Sequence, residues 1–432
     1  MSSIKILLQL AASRAIYYKP VDVTGAYFYA DIDKDIYVSI PQLDGSTRQY
    51  AKLKKGLYGL KQSGLLWYQN LKKTLEENIG AAACDHDKCV FAFFKDGEVT
   101  YIAVHVDDLL IVSTSQQQLD SIIKQLQERY GDITESDAAT HLGINIIRNE
   151  AGDITMSQPG LIYKAAAELN LTDSEPAVYT PMTQDYVDTI PGNTSDFLSA
   201  EQQQIFQRVV GMAIYNSHSR PDVLYAVSIL SSRSSAPNTD DLKALTRLIA
   251  YLVHSKTLGI TFRADSDIQW YGYADASFAS PSENYRSHSG YTIHLGLGSA
   301  PIAAYSKRQV IVSLSSTEAE LEALRAECTL TLWVLGFLRD LGYSLNDPVT
   351  IFEDNKAAIT ILSTEFSGGN WARTRHFGIR YEFVKTHIEN HEIALEYCPT
   401  TDMVADILTK PLARQQFEYL RNCLLGMVPY SG

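Results

Sequence analysis

Tyr101-Ile-Ala-Val-His-Val-Asp-Asp-Leu-Leu-Ile-Val112 is an apolar run broken near its middle by two adjacent acids, Asp107 and Asp108. Strand-forming residues on both sides of a short polar break predict a β-hairpin with the acids at its turn. Ionised carboxylates are costly to bury without compensation, so the pair is a poor choice for a core. At a tight turn the two side chains can instead project together towards a divalent cation, provided a neighbouring strand brings a third acid. Asp22, isolated in the apolar stretch Pro20-Val-Asp-Val23, is the natural third. Hard oxygen ligands of this kind suit magnesium, which in turn holds nucleotide phosphates. The plainer alternative is an exposed turn, where Asp is common for its own sake, and on the pair alone the turn is the better choice.

Outward from the hairpin, the chain alternates short β-like runs with helices. Between Met1 and Tyr18, the residues Ile4, Leu7, Leu8, Ala11, Ala12 and Ala15 recur at helical spacing, while Lys5, Gln9 and Arg14 interrupt any continuous apolar stretch. That pattern reads as an amphipathic core helix and not as a signal peptide. A strand is expected around Asp22, a helix from Tyr68 to Glu77, and a helical stripe at Leu119, Ile122, Ile123, Leu126 and Tyr130. From Leu171 to Ala200 the composition turns to Thr, Ser, Pro, Asp and Gly, which marks a connection. Three helical patterns follow, Glu201 to Asn216, Asp222 to Ser232 and Asp240 to His254, and suggest a small helical packing unit. After Thr257 three strands are expected, Ile268 to Phe278, Gly290 to Leu295 and Pro301 to Tyr305, ahead of a long helix from Glu318 to Leu341. Strands at Val349 to Phe352 and Ile393 to Tyr397, with helices from Lys356, around Tyr381 to Glu389 and from Met403, complete a mixed-sheet α/β layout.

At 432 residues the chain exceeds what one core usually organises, so two or three domains are expected, bounded as 1–165, 166–265 and 266–432. Hydrophobic residues at 45% and charged residues at 20% exclude a disordered or fibrous chain. No apolar run approaches the roughly 18 residues of a membrane span, so no membrane partner is expected. Five cysteines, an odd number scattered without a secretory signal, fit free thiols and an intracellular location, cytoplasmic or nuclear. The net charge of −13 counts against nucleic acid, whose binding is driven by Lys and Arg on phosphates. Carboxylate-built magnesium sites and local basic clusters offset that sign; such clusters stand at Lys52, Lys54, Lys55 and Lys61, and at Arg373, Arg375, His376 and Arg380.

A second set of acids lies in the last third. Asp275 sits in Tyr273-Ala-Asp-Ala-Ser277, Glu318 in Ser315-Ser-Thr-Glu-Ala-Glu320, Asp354 in Phe352-Glu-Asp-Asn355, and Asp406 in Val404-Ala-Asp-Ile-Leu-Thr-Lys-Pro411. Four acids at element ends can converge on one rim and clamp two magnesium ions. Each also has a plain alternative, since Ser315 and Glu318 make a fair capping box and the others are good caps or solvated ends.

Taken in order, Val21-Asp-Val-Thr-Gly-Ala-Tyr27, Leu53-Lys-Lys-Gly-Leu-Tyr-Gly-Leu-Lys-Gln62, Trp67-Tyr68, Val106-Asp-Asp108, His141-Leu-Gly-Ile144, Arg208-Val-Val-Gly211 and Arg220-Pro-Asp-Val-Leu-Tyr-Ala-Val227 resemble the polymerase motifs of copia-type reverse transcriptases. The four later acids, with Ser287-His-Ser-Gly290, Ser306-Lys307, Arg373-Thr-Arg-His376 and Tyr397-Cys-Pro399, resemble the RNase H domain of the same retrotransposon Pol polyproteins. The resemblance spans about Ile4 to Leu412. It implies an α/β and α+β multidomain protein: a reverse-transcriptase palm with truncated fingers, a small helical thumb or connection, and an RNase H-like mixed-sheet domain. It implies further that Asp22 and Asp107 bind two Mg2+ ions with Asp108 in support, that Tyr27 lies beneath the incoming sugar, and that Tyr58 and Gly59 pack against template and nucleotide. Lys54, Lys55, Lys61, Arg373, Arg375 and His376 would contact nucleic acid. Asp275, Glu318, Asp354 and Asp406 would hold two more Mg2+ ions and hydrolyse the RNA strand of RNA–DNA hybrids, leaving 3′-hydroxyl ends. The implied partners are hybrid and template-primer nucleic acid, dNTP, and other parts of the Pol polyprotein.

Departures from the family pattern bear mainly on the polymerase. Family members carry a stretch ahead of the Asp22 motif that builds basic fingers, whereas this sequence begins a short way before it. Phosphoryl transfer is mostly alignment and charge stabilisation, so the expected loss of that grip weakens the case for DNA synthesis by the chain alone. His105 stands where an aromatic residue is usual, and Arg129-Tyr-Gly-Asp-Ile-Thr-Glu135 lacks a lysine often found there. Cys84, His86 and Cys89 lack a second half for a structural zinc site, and Cys89 is expected to be buried. Two further functions stay open: a non-catalytic remnant or co-opted nucleic-acid-binding scaffold, and a two-metal phosphatase or nuclease with other substrates.

Overall fold

The computed structural model describes residues 1–14, 16–40, 49–131, 133–135, 140–172, 176–266, 268–280, 285–344, 347–363 and 378–428. In chain order the elements used below are α1 (Ser2–Ser13), β1 (Tyr17–Val23), β2 (Tyr37–Ile40), β3 (Gln49–Lys52), α2 (Ser63–Thr74), β4 (Ala82–Ala83), β5 (Val90–Lys95), β6 (Glu98–His105), β7 (Asp108–Ser113), α3 (Gln116–Tyr130), β8 (Ile133–Glu135), β9 (Thr140–His141), β10 (Ile144–Arg148), β11 (Ile154–Ser157), α4 (Pro159–Glu168), α5 (Gln184–Thr189), α6 (Ala200–Asn216), α7 (Leu224–Arg233) and α8 (Thr239–His254). They continue with β12 (Ile260–Phe262), β13 (Trp270–Ser280), β14 (Arg286–Leu295), β15 (Pro301–Arg308), α9 (Ser316–Asp340), β16 (Val349–Glu353), α10 (Lys356–Ser363), α11 (Gly378–Glu389), β17 (Ile393–Tyr397) and α12 (Arg414–Leu424).

These elements form two compact units, one of residues 15–142 with 337–343, the other of 1–14, 143–336 and 344–432. In the first, a six-stranded sheet runs in the order β4-β5-β6-β7-β1-β8. One face is covered by the predicted stripe of α3 together with Trp67 and Leu71 of α2, packed on Val21, Ile102, Leu109 and Ile111. Burial of each such Leu or Ile contributes roughly 1.5–3 kcal/mol, enough to fix which face of β7 turns inward. Ser115 caps α3 by accepting from the Gln118 amide. On the opposite face the Tyr101 hydroxyl donates to the Leu341 carbonyl at 2.6 Å.

The second unit is built on a five-stranded sheet in the order β15-β14-β13-β16-β17. β13, β14 and β15 are antiparallel neighbours, whereas β16 runs parallel to β13 and β17 parallel to β16. Ala274, Leu321, Leu324, Ile351, Leu362 and Val384 make the core between this sheet and α9, α10 and α11. Tyr271 and Tyr273, on the other face of β13, join a core shared with Phe206, Leu248, Leu252, Leu408 and Phe417. The expected thumb helices α6, α7 and α8 therefore share their core with the mixed sheet and do not close one of their own.

A small sheet unannounced by the sequence pattern, β10-β11-β12, also belongs to this unit. Helix α1 packs on β11, β12 and β15, with Ile6, Leu7, Leu8 and Leu10 fully buried. Its buried Gln9 donates to the Arg263 carbonyl, and Arg148 donates to the Ala11 carbonyl. Residues 1–14 go with the mixed-sheet unit, because the apolar residues of α1 find their cover there. Among the described residues no helix is long and apolar enough to cross a membrane.

Candidate metal centres

The hairpin expected around Asp107 forms as read, with β6 and β7 joined through Val106 and Asp107 and with His105 opposite Asp108. Val106 has φ +58°, in a position of the two-residue turn where glycine is usual. A β-branched residue there is a genuine outlier held by its surroundings, and one restraint is the Trp67 indole, which donates to the Val106 carbonyl at 2.5 Å. β1 lies beside β7 in the register Asp22↔Asp108, and the Val23 amide donates to the Asp107 carbonyl at 2.9 Å. Asp22, Asp107 and Asp108 thereby offer carboxylate oxygens within 4.8 Å of one another. Burial, then the neighbouring Asp107, raises the Asp22 carboxyl above its ordinary range; burial, then Asp22 and Asp107, does the same to Asp108. Three acids that disfavour one another's charge, all half-exposed and oxygen-bearing, fit a hard divalent cation.

The aromatic residues implied for nucleotide contact gather at this cluster. The Tyr58 hydroxyl donates to Asp107 Oδ2 at 3.1 Å, and the Tyr27 and Tyr58 rings lie 4.4 Å apart at 41°. Gly59 has φ +99°, and a Cβ added there would meet nothing within 4 Å, so its backbone conformation is the feature that favours glycine. Lys54, Lys55 and Lys61 are exposed. Lys55 is taken up by Asp31 at 2.7 Å and its neighbour Lys52 by Asp35 at 2.6 Å, which reduces the positive charge this stretch presents.

In the second unit the register Tyr273↔Phe352 between parallel strands brings Asp275 and Asp354, each two residues further on, to the same end of the sheet. The short helical turn Val404–Leu408 packs on β14 and carries Asp406 to them. Asp275, Asp354 and Asp406 place carboxylate oxygens within 4.8 Å of one another, and Glu320, Glu353 and Asp354 make a second such group that shares Asp354. Asp275, Asp406, Glu320 and Glu353 are all buried. Thr409 donates to Asp275 Oδ2, and Thr400 donates to Asp354 Oδ2 at 2.7 Å. The Glu320 and Glu353 Oε2 atoms are buried with no hydrogen-bond partner.

The electrostatics follow from this crowding. Burial, then Glu353 and Asp275, drives the Glu320 carboxyl well up, and burial also lifts Glu353 and Asp275. Asp406 is pushed up to about 7 by burial and then by Asp275. Lys410 Nζ lies 2.7 Å from Asp406 Oδ1; burial works against its charge, but Asp275 and Asp406 outweigh it and hold the ammonium on. Five clustered acids with one cation and two orphaned buried oxygens fit divalent ions of the same hard class.

Six of the seven expected ligands are brought into the two clusters, and Glu318 is not. Its Oε2 accepts from the Leu314 amide at 2.7 Å, its own amide donates to Ser315 Oγ at 3.2 Å, and its Oε1 faces Arg380 at 4.0 Å. It closes the start of α9 as a cap, the plainer alternative, and Glu320 stands in its place. Residues two apart on a helix point about 200° apart, so only one glutamate of the motif can face the sheet. A signal existed: Glu320 heads the buried stripe Ala323, Leu324, Glu327, Cys328 and Thr331. Glu353 had none beyond its place beside Asp354. Arg373, Arg375 and His376 lie outside the described residues. Cys84 is buried but Cys89 is exposed, contrary to expectation, and His86 is bound to Asp340 at 3.0 Å; among the described residues they form no metal-sized group.

A sheet with three acids at its central hairpin, and a mixed sheet in the order 3-2-1-4-5 with an acidic rim, define a class: a reverse-transcriptase palm with an RNase H-like domain. Residues 1–184 match the family described as reverse transcriptase (RNA-dependent DNA polymerase). The chain is similar to copia-type retrotransposon Pol polyproteins: it is 30% identical over 96% of its length to the retrovirus-related Pol polyprotein from transposon RE1 of Arabidopsis thaliana. It spans 28% of that relative's length. Among solved structures, a foamy viral protease-reverse transcriptase in complex with dsDNA is 15% identical, with 89% of this chain and 68% of that chain covered, at a TM-score of 0.45. RNase H1 from Halobacterium salinarum NRC-1 is 17% identical, with 33% of this chain and 94% of that chain covered, at a TM-score of 0.23.

Proposed function

We propose that the second cluster performs ribonuclease H chemistry, hydrolysing the RNA strand of an RNA–DNA hybrid with two Mg2+ ions held by Asp275, Glu320, Asp354 and Asp406. One observation carries this: Asp354 belongs to two acid groups at once, which suits a carboxylate bridging a pair of cations. When bound, such ions supply an activated water and stabilise the leaving oxygen. The chain's own residues prepare the site. Thr409 and Thr400 fix the orientation of Asp275 and Asp354, Glu353 stands beside Asp354 and Glu320 in the second acid group, and Lys410 offsets part of the rim's repulsion of hybrid phosphates.

The first cluster, Asp22, Asp107 and Asp108, is proposed to serve nucleotidyl transfer by an RNA-directed DNA polymerase. Template-primer, dNTP and other parts of a Pol polyprotein would be its partners. Tyr58, anchored on Asp107, and Tyr27 against it would position the nucleotide, with Gly59, Lys54, Lys55 and Lys61 beside nucleic acid and Arg373, Arg375 and His376 serving the hybrid. A second function, a non-catalytic nucleic-acid-binding remnant or scaffold, is favoured by the acids that take up Lys52 and Lys55.

The test uses the whole chain with Mg2+ and an end-labelled hybrid. RNA cutting is expected, and Asp354→Asn abolishes it; Asp107→Asn abolishes primer extension and leaves cutting intact. Equal cutting by the chain and Asp354→Asn removes the assignment, and salt-dependent binding without cutting at several divalent ions selects the scaffold.

A further inference from the structure

A cleft of about 500 Å3, lined by none of the clustered acids, opens in the mixed-sheet unit between the 177–184 segment, α8 and the start of α12. Its size is that of small-ligand sites. Arg247 and Arg414 line it, and among the described residues no carboxylate does, in a chain whose net charge is −13. Arg247 donates through Nη2 to the Thr180 hydroxyl at 2.9 Å, yet its Nε is buried without a hydrogen-bond partner, and among the described residues no acid pairs with it. Arg247 is partly buried, and a covered guanidinium nitrogen with no partner beside an open cleft leaves a donor that an anion can complete. The adjoining cleft, about 430 Å3, reaches the same Arg247, but its Lys243 is already held by Asp240 at 2.8 Å.

Arg414 adds an independent observation. It occupies the first turn of α12, where a cation opposes the helix dipole, and its guanidinium lies 3.3 Å from the Tyr179 ring centroid. The N-cap of that helix is Ala413, which has no side chain to take the first amides, and both residues line the cleft. Arg414 is not without a counter-charge, since its Nε donates to Glu418 Oε1 at 3.1 Å on the same helix, so the weight falls on Arg247. Two arginines, a hydroxyl and an uncapped helix start thus face one space.

We infer that this cleft binds a phosphate group, contributed by a nucleic-acid strand or by a free phosphate compound, with Arg247 and Arg414 as its cations. Bidentate guanidinium contacts suit phosphate geometry, and helix starts favour anions. The inference does not rest on the cleavage chemistry proposed above, and its test is run in EDTA so that neither metal nor cutting enters.

Titration of the full chain with pyrophosphate by calorimetry, and with a fluorescent hybrid by anisotropy across a salt series, reads the two sources separately. Arg247→Met is expected to abolish saturable pyrophosphate binding or weaken hybrid binding by about tenfold, with the salt slope falling by about one. Arg247→Lys should retain part of the effect. Loss with pyrophosphate alone identifies a free phosphate compound, and loss with hybrid alone identifies a strand. Unchanged binding of both overturns the inference. Should Arg247→Met fail to fold, judged by melting, Arg414→Met and Thr180→Val carry the same test.

Discussion

At the scale of single residues, the two glutamates of Ser315-Ser-Thr-Glu-Ala-Glu320 divide their labour by direction. Glu318 turns back over the helix start and Glu320 turns to the sheet, although both are buried. Glu318→Gln is expected to leave Mg2+ affinity unchanged and to lower stability by about 0.5–2 kcal/mol through the weakened cap. Glu320→Gln should weaken Mg2+ binding by at least about tenfold and raise the melting temperature without metal, because it removes one of several mutually repelling acids. A melting series over Mg2+ concentration separates the two, and equal behaviour would reject the exchange of roles. Motif order located Asp22, Asp107, Asp108, Asp275, Asp354 and Asp406 because each lies at a strand end or turn, where neighbours in sequence already fix direction. On a helix direction depends on the phase of the buried stripe, which residue types alone leave ambiguous when Glu318, Ala319 and Glu320 all end up covered. Glu353 was unreadable for a related reason: an acid at an inward strand position contradicts patterning and is tolerated only beside such a cluster.

Among the elements, the turn Val404–Leu408 reaches Asp275 only because Gly290 is its register partner on β14. A Cβ at Gly290 would stand 2.7 Å from Leu408 Cβ, 2.8 Å from Thr409 Cγ2 and 2.9 Å from the Ala405 carbonyl, and two of these belong to backbone or to the stiff root of a side chain. Gly290→Ala should therefore push the Asp406 turn off the sheet, with a cost of about 1–3 kcal/mol and a loss of metal affinity. Gly211→Ala, mid-helix with open space around its Cβ, is the control and should stabilise by roughly 0.4–1 kcal/mol. Retained metal affinity in a folded Gly290→Ala chain would rule out this packing as the positioning device. The long elements were legible in the sequence: the hairpin, α3, α6, α8, α9 and the five strands of the mixed sheet all lie close to the expected places. β10, β11 and β12 were not, because strands of three to five residues carry too little alternation, and β12 joins its partner from about a hundred residues away.

Across the whole molecule the buried acids dictate a pH response whose window the other groups delimit. His141, His218 and His294 are lowered to about 4 by burial, so their effect on stability, a rise with pH, is complete near 6.5. Lys5, lowered to about 8 by burial, acts only above that value. Between about 6.5 and 8 the acids are left alone: Asp406 at about 7, Glu327 at about 8, and Glu320 and Glu353 well raised, burial first in each case. Their unfolded counterparts are already ionised there, so the folded state holds more protons and stability must fall as pH rises through the window. Melting temperature without divalent ions is thus expected to decline from pH 6.5 to 8. Mg2+ should restore the part due to the cluster, because cations bind the deprotonated acids. It should not restore the part due to Glu327, whose Oε2 lies buried without a partner and which belongs to neither acid group. Glu327→Gln with Mg2+ should then give a nearly flat profile. A decline that persists in that variant, or one that Mg2+ removes completely from the unaltered chain, would show that the buried acids do not set the response.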